Sequence, residues 1–91
     1  MSFQFSRHAL EKARKRGISM SKIYQALEDP DELYEDIEHK TKIAIKKTNS
    51  KLVILAYTKE KETVKVITVY YTKLDKLLKS KTERGAWKRI K

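Results

Sequence analysis

The hydrophobic pattern of the chain changes its period at Asp29-Pro30, and this change constrains the fold more than any other feature. Before the proline, apolar residues recur at three- and four-residue intervals, as in helices. After it, they alternate with polar residues or form short β-branched runs between turn residues. Because the residue before a proline avoids helical angles, the sequence predicts two N-terminal helices followed by a sheet.

Both predicted helices have recognisable ends. Ser6 can cap the exposed N–H groups of a first helix, and Gly17 can end that helix in a left-handed conformation. Ser19 is placed to cap a second helix over roughly residues 20–28, which stops before Pro30. These signals define two short helices whose apolar faces are directed toward a common core.

Four segments after the proline have the composition of strands: 33–38, 42–46, 52–57 and 64–71. The connections between them are short, which forces neighbouring strands to run antiparallel. A capping-box pattern at Thr72-x-x-Asp75 then predicts a third helix. The predicted core comprises Leu10, Ala13, Ile18, Ile23, Leu27, Ile43, Ile45, Val53, Leu55, Val66, Leu74, Leu77 and Leu78.

These elements predict an α+β fold over residues 1–91, a single domain with a basic tail at 82–91. Two N-terminal helices pack on a three- or four-stranded antiparallel sheet, and a C-terminal helix follows. The chain has no apolar run of membrane-spanning length and no secretory signal, so we expect a cytoplasmic protein without a membrane partner.

The residue types present exclude several kinds of chemistry. With no cysteine in the chain, disulfides, thiolate nucleophiles and Cys-based zinc sites are excluded. The only histidines, His8 and His39, are far apart in sequence, and the only glycines, Gly17 and Gly85, cannot form a phosphate-binding loop. We therefore expect no metal site and no cofactor.

The net charge of +10 is unevenly distributed along the chain. Residues 28–38 carry seven acids and no base, whereas the regions on both sides are basic. A basic balance of this size favours a polyanion partner such as RNA or another nucleic acid, although a surface adapted for solubility or heat stability has the same composition. The acidic run is either a solvated edge or a surface for a basic partner.

Three groups of residues are candidates for function. His8, Lys12 and Lys15 share one face of the first helix with Arg16 beside them, either as a general base among cations or as an ordinary exposed helix face. Alternation in the last strand sends the rings of Tyr70 and Tyr71 to opposite faces, one into the core and one free to stack on a base or donate a proton. The basic tail contains Arg84, Trp87, Lys88 and Arg89, which either bind nucleic acid or close the core through the tryptophan.

Several strings in the sequence carry a family resemblance. These are Phe5-Ser6-Arg7-His8-Ala9-Leu10-Glu11-Lys12, then Arg16-Gly17-Ile18, then Ile23, Leu27 and Pro30, and finally Val66-Ile67-Thr68-Val69-Tyr70. Together they resemble an uncharacterised family of small α+β proteins with an "RHA…RGI…P…ViTvY" pattern, grouped with the RelE, HigB and BrnT ribonuclease toxins.

The resemblance implies a RelE-like fold and, by analogy, cleavage of RNA without a metal ion. In toxins of this class the 2′-hydroxyl of the RNA attacks the adjacent phosphate, while the protein supplies a base, an acid and cations. The resemblance assigns His8 as base or acid, Arg7 and Arg16 as phosphate clamps, and Tyr70 as a secondary acid or stacking group. An antitoxin protein would be the partner.

Three classes of function remain open from the sequence. The first is a toxin-like, metal-independent endoribonuclease of a toxin–antitoxin type system. The second is a nucleic-acid-binding module without catalysis, and the third is a protein-interaction domain that uses the acidic run at 28–38. The first is the function that the sequence favours.

Overall fold

A computed structural model describes residues 2–48, 51–72 and 87–90 of the chain. In chain order the elements are β1 (Ser2–Phe5), α1 (Arg7–Arg16), α2 (Met20–Glu28), β2 (Glu32–Asp36), β3 (Thr41–Thr48), β4 (Lys51–Glu60), β5 (Thr63–Thr72) and β6 (Trp87–Arg89). These described strands form one sheet in the order β1-β5-β4-β3-β2-β6. β1 runs parallel to β5, and every other neighbouring pair is antiparallel.

The helix boundaries follow from capping, as the sequence predicts. Ser6 Oγ accepts a hydrogen bond from the Ala9 N–H at 3.0 Å, and Gly17 ends α1 with φ of 68°. Ser19 Oγ accepts from the Lys22 N–H at 3.3 Å at the start of α2. Both predicted N-terminal helices are therefore confirmed, with α2 starting directly after its serine cap.

Alternation along the central strands gives the sheet two apolar faces. The helices cover one face, where the core comprises Ala9, Ala13, Ile18, Ile23, Ala26, Val53, Leu55, Val66 and Val69. The other face, which we call the distal face, carries a second cluster of Tyr34, Ile43, Ile45, Leu52, Ile54 and Trp87. Because both faces of β3 and β4 are buried, these strands show the continuous apolar runs typical of a central position.

The prediction of a RelE-like fold with a three- or four-stranded antiparallel sheet is wrong. The structure has a mixed sheet of six described strands, and a strand precedes the first helix. β1 is only four residues long, and its partner Thr63–Val66 lies some sixty residues away in the sequence, so no local sequence pattern predicts the pairing. The predicted C-terminal helix follows Thr72 and precedes the tail at 82–91, so it lies outside the described residues, and the basic tail contributes β6.

One residue of the predicted core is placed differently by the structure. Leu10 is 47 % exposed, because the buried stripe of α1 is formed by Ala9 and Ala13 alone. Leu27 is partly buried against the helix-side core. The three predicted core leucines of the third helix, Leu74, Leu77 and Leu78, lie outside the described residues.

A β-bulge in β5 affects the geometry of the distal face. Ala56 pairs with Thr68 while the next residue, Tyr57, pairs with Val66, so Ile67 has no partner on β4. Ser6 Oγ donates to the carbonyl oxygen of Ile67 at 2.7 Å, which ties the bulge to the start of α1. Bulges redirect side chains and are common beside active sites.

Candidate active site

The distal face of the sheet carries a cleft of about 550 Å³. One wall comes from the end of β2 and the turn that follows it, and the other comes from β5 at its bulge. The lining residues are Asp36, His39, Thr41, Ile43, Ile67, Thr68, Tyr70 and Trp87. The cleft therefore combines an apolar floor with an acid, a histidine, hydroxyl groups and two aromatic rings.

Asp36 and His39 are joined by two hydrogen bonds in the turn between β2 and β3. The backbone N–H of His39 donates to Asp36 Oδ1 at 3.0 Å. His39 Nδ1 lies 3.0 Å from Asp36 Oδ2. An aspartate that bonds the backbone a few residues ahead stabilises a turn, so the same contact that shapes this turn also fixes the imidazole.

Trp87 provides a third donor to the same carboxylate. Its indole Nε1 donates to Asp36 Oδ2 at 3.2 Å, because β6 pairs with β2 so that Trp87 lies directly opposite Asp36. The Trp87 ring is 7 % exposed and its centroid lies 6.1 Å from that of Tyr34. Asp36 itself is 8 % exposed, so hydrogen bonds from the protein, rather than water, stabilise its carboxylate.

The hydrogen bonds to Asp36 favour its ionised form. Burial raises the pKa of Asp36, but the hydrogen bonds from His39 and Trp87 outweigh burial and hold that pKa below its ordinary value. Asp36 is therefore ionised at neutral pH, and an ionised carboxylate only accepts hydrogen bonds. In the neutral tautomer that this contact favours, His39 Nδ1 carries the hydrogen and Nε2 has a lone pair.

The His39 ring is accessible to a ligand. Its side chain is 67 % exposed, whereas the Asp36 side chain behind it is 11 % exposed. A buried carboxylate that orients an accessible imidazole is the arrangement of a general base and its positioning residue. The geometry thus makes His39 Nε2 a proton acceptor at the edge of the cleft.

Tyr70, on the β5 wall of the cleft, lies close to Lys12, a cation of α1. Tyr70 is 42 % exposed and lines the cleft. Lys12 Nζ lies 5.9 Å from the centroid of the Tyr70 ring, within the range of a cation–π interaction. Of the residues that the sequence singled out, the structure therefore brings Lys12, Tyr70 and Trp87 to the cleft or its margin.

The other candidate residues of α1 lie elsewhere on that helix. His8, Arg7, Lys15 and Arg16 are all exposed. Arg7 Nε pairs with Glu11 Oε1 at 3.2 Å, a contact between exposed side chains that contributes little to stability. None of these four residues lines the cleft that holds the Asp36–His39 pair.

The remaining candidates are divided between the two faces of the sheet. Tyr71 packs against the helix-side core, with Lys22 Nζ and Lys51 Nζ at 5.8 and 4.6 Å from its ring centroid, which confirms the predicted alternation with Tyr70. Arg89 pairs with Glu32 at 3.3 Å on the distal face. Lys88 is exposed, and Arg84 lies outside the described residues.

The acidic run is largely engaged within the chain. Glu32 pairs with Lys47 and Arg89 and accepts a hydrogen bond from the Tyr34 hydroxyl at 2.7 Å. A backbone hydrogen bond from Lys47 is the main cause that lowers the pKa of Asp31; burial opposes it, and the charge of Lys46 adds to the lowering. Residues Asp29, Asp31, Glu32 and Asp36 thus have partners in the fold, and Glu28, Glu35 and Glu38 are exposed.

Sequence reasoning missed the pairing of Asp36 with His39. The available signal was the Asp-x-x-His spacing directly after a strand, which is the spacing of an aspartate-capped turn. The third partner, Trp87, lies 51 residues away and reaches Asp36 only through strand pairing. Within residues 2–48, 51–72 and 87–90, no three His, Asp or Glu side chains converge as a metal site requires.

The described part of the chain contains no helix long and apolar enough to cross a membrane. Comparison with curated proteins and with solved structures gives no match. The model of the DUF4258 family, described as a domain of unknown function, matches residues 5–71. This range covers well over half of the 91 residues and includes α1, the Asp36–His39 pair and all of β5 up to Tyr71, so the chain belongs to the DUF4258 family.

Proposed function

We propose that this protein binds single-stranded RNA across the distal cleft and cuts it without a metal ion, using the 2′-hydroxyl of the RNA as the nucleophile. The observation that carries the proposal is the accessible imidazole of His39, oriented by the buried carboxylate of Asp36. An imidazole oriented in this way can take a proton from a hydroxyl group.

The protein and the RNA together provide every group that the proposed reaction needs. His39 Nε2 takes the 2′-hydroxyl proton as the 2′-oxygen attacks the adjacent phosphorus. The bond from phosphorus to the 5′-oxygen of the next nucleotide breaks, and that oxygen leaves with a proton. The Tyr70 hydroxyl, which lines the same cleft, is the candidate donor. The products are a 2′,3′-cyclic phosphate and a free 5′-hydroxyl.

Cations near the cleft support a phosphate-bearing substrate. Lys12 stands over Tyr70, and Lys40 follows His39 directly in the exposed turn. Ammonium groups at these positions would stabilise the charge that develops on the phosphate oxygens. The net charge of +10 adds a long-range attraction for RNA.

The "RHA…RGI" and "ViTvY" strings resemble an uncharacterised family of small α+β proteins, and the grouping of that family with the RelE, HigB and BrnT toxins supports RNA as the substrate class. In that setting the physiological partner would be an antitoxin protein. The exposed residues Arg7, His8, Lys15 and Arg16 of α1 would then meet the RNA backbone outside the cleft rather than the scissile phosphate.

The test uses purified protein with a fluorescent single-stranded RNA and a DNA of the same sequence. We expect the RNA to be cut in the presence of EDTA, the product to carry a 2′,3′-cyclic phosphate, and the DNA to stay intact because it lacks the nucleophile. Equal cleavage of RNA and DNA, or inhibition by EDTA, would contradict the proposed chemistry.

Binding is measured separately from cleavage, with the uncleavable DNA and with RNA bearing 2′-O-methyl groups. If about five cations meet phosphates on a single strand, log K falls against log[salt] with a slope of roughly −3 to −4. Binding with this steep salt dependence, but without cleavage of any RNA, would identify a nucleic-acid-binding module without catalysis. Absence of binding at low salt would exclude nucleic acid as the partner.

A further inference from the structure

One hydroxyl group in the distal cleft is buried without a partner. Thr68 Oγ1 is shielded from solvent and makes no hydrogen bond, and within the described residues it is the one buried side-chain nitrogen or oxygen in this state. A buried hydroxyl without a hydrogen bond is destabilising. Such a group in a native structure calls for an explanation.

The position of Thr68 indicates what this explanation is. The residue lies on the β5 wall beside the bulged Ile67 and lines the same cleft as Asp36 and His39. Its neighbours in the lining include Ile43, Ile67 and the rings of Tyr70 and Trp87. A cleft with a largely apolar and aromatic lining and one shielded hydroxyl without a partner suits a flat, heteroatom-bearing ring better than a charged phosphate.

We propose that this cleft holds a nucleobase next to the scissile bond, and that Thr68 Oγ1 hydrogen-bonds an edge of that base and sets the base preference of the protein. This inference rests on the proposed RNA substrate. A hydroxyl can donate or accept, so it can meet either a carbonyl or an amino group on the base. The energetic cost of leaving Thr68 unpaired in the free protein is recovered when the base binds.

The proposal predicts opposite effects of one substitution on stability and on selectivity. Thr68→Val keeps the shape of the side chain and replaces the hydroxyl by a methyl group. Because that hydroxyl has no partner in the free protein, the melting temperature should stay equal or rise. Discrimination between bases should fall by roughly 2- to 12-fold, the range for loss of one hydrogen bond.

The experiment titrates the protein with four short RNAs: rA6, rC6, rU6 and r(GA)3, each made uncleavable with 2′-O-methyl groups. Trp87 is the sole tryptophan of the chain and lines the cleft, so its fluorescence reports occupancy directly. We expect the wild type to prefer one base, Thr68→Val to lose that preference, and Thr68→Ser to retain it because the hydroxyl remains.

Thr48→Val is the matched control, because Thr48 Oγ1, at the end of β3, donates to the Lys51 carbonyl at the start of β4 at 3.0 Å. We expect this variant to lose stability and to keep the base preference. A lowered melting temperature for Thr68→Val, or an unchanged base preference, would overturn the role of Thr68. A wild type that binds RNA without any base preference would overturn it as well, whereas a wild type that binds no RNA would overturn the proposed function itself.

Discussion

Replacement of Asp36 by asparagine tests the hydrogen-bond arrangement on which the site depends. Asp36 Oδ2 accepts hydrogen bonds from the His39 ring and the Trp87 indole, and Oδ1 accepts one from the backbone N–H of His39. An asparagine has one carbonyl oxygen and one amide NH₂ group. If its oxygen replaces Oδ2, the NH₂ group faces the backbone N–H of His39, donor against donor. The opposite orientation places two donors against the NH₂ group.

The cost of this substitution can be worked out from those three bonds. Hydrogen bonds to a charged group contribute about 1.5–3 kcal/mol each, and a buried donor left unpaired costs about 1–3 kcal/mol. In the better orientation, two bonds survive in a weaker neutral form and one becomes a repulsion. We therefore expect a loss of about 2–4 kcal/mol in the free energy of unfolding. For a domain of this size that lowers the melting temperature by roughly 8–32 °C.

Urea unfolding followed by circular dichroism measures this loss, with Glu35→Gln as the matched control. Glu35 is the neighbouring acid of β2 and is exposed, so the control removes the same charge without removing a buried acceptor. We expect the control to stay within about 0.5 kcal/mol of the wild type. If Asp36→Asn were as stable as Glu35→Gln, the three bonds would not hold the carboxylate, and the orientation of His39 would lose its basis.

Three further predictions follow from the described contacts. The folded-state pKa of Asp36 lies below its ordinary value of 3.8, so the ionised carboxylate stabilises the fold above about pH 4, and this stabilisation is lost as pH falls through the folded pKa. Acidification should therefore lower the free energy of unfolding less in Asp36→Asn than in the wild type. Gly17→Ala should cost about 1–2 kcal/mol in thermal unfolding, because φ is +68° while the space for a Cβ is open, and an unchanged melting temperature would refute this. Trp87→Ala should lower the free energy of unfolding by about 3–5 kcal/mol and Trp87→Phe by clearly less, because the buried ring contributes more to stability than the Nε1 hydrogen bond. Equal losses for the two variants would contradict this expectation.

The local part of the fold was predictable because its signals are local. Ser6, Gly17, Ser19 and Pro30 define both helices within a few residues, and each acts through the backbone next to it. The four central strands were found for the same reason, since β-branched runs and short turns force antiparallel pairing.

The pairings that were missed are all distant in sequence. β1 joins Thr63–Val66 and β6 joins β2, and neither segment is long enough to show a period. The candidate site depends on such a pairing, because Trp87 reaches Asp36 through β6. His39 could have been linked to Asp36 by their spacing, but its position opposite Tyr70 arises only when β2, β3, β4 and β5 are assembled.

The central claim is that RNA is cut at His39, and the two histidines of the chain provide its most direct test. The measurement compares the cleavage rate of one RNA by His39→Ala and by His8→Ala, with RNA affinity measured in parallel. A general base contributes about 10²- to 10⁴-fold in rate. We predict a loss of that size for His39→Ala at nearly unchanged affinity, and a small effect for His8→Ala, which lies outside the cleft. A full rate for His39→Ala together with a large loss for His8→Ala would place the chemistry on α1 and contradict this account.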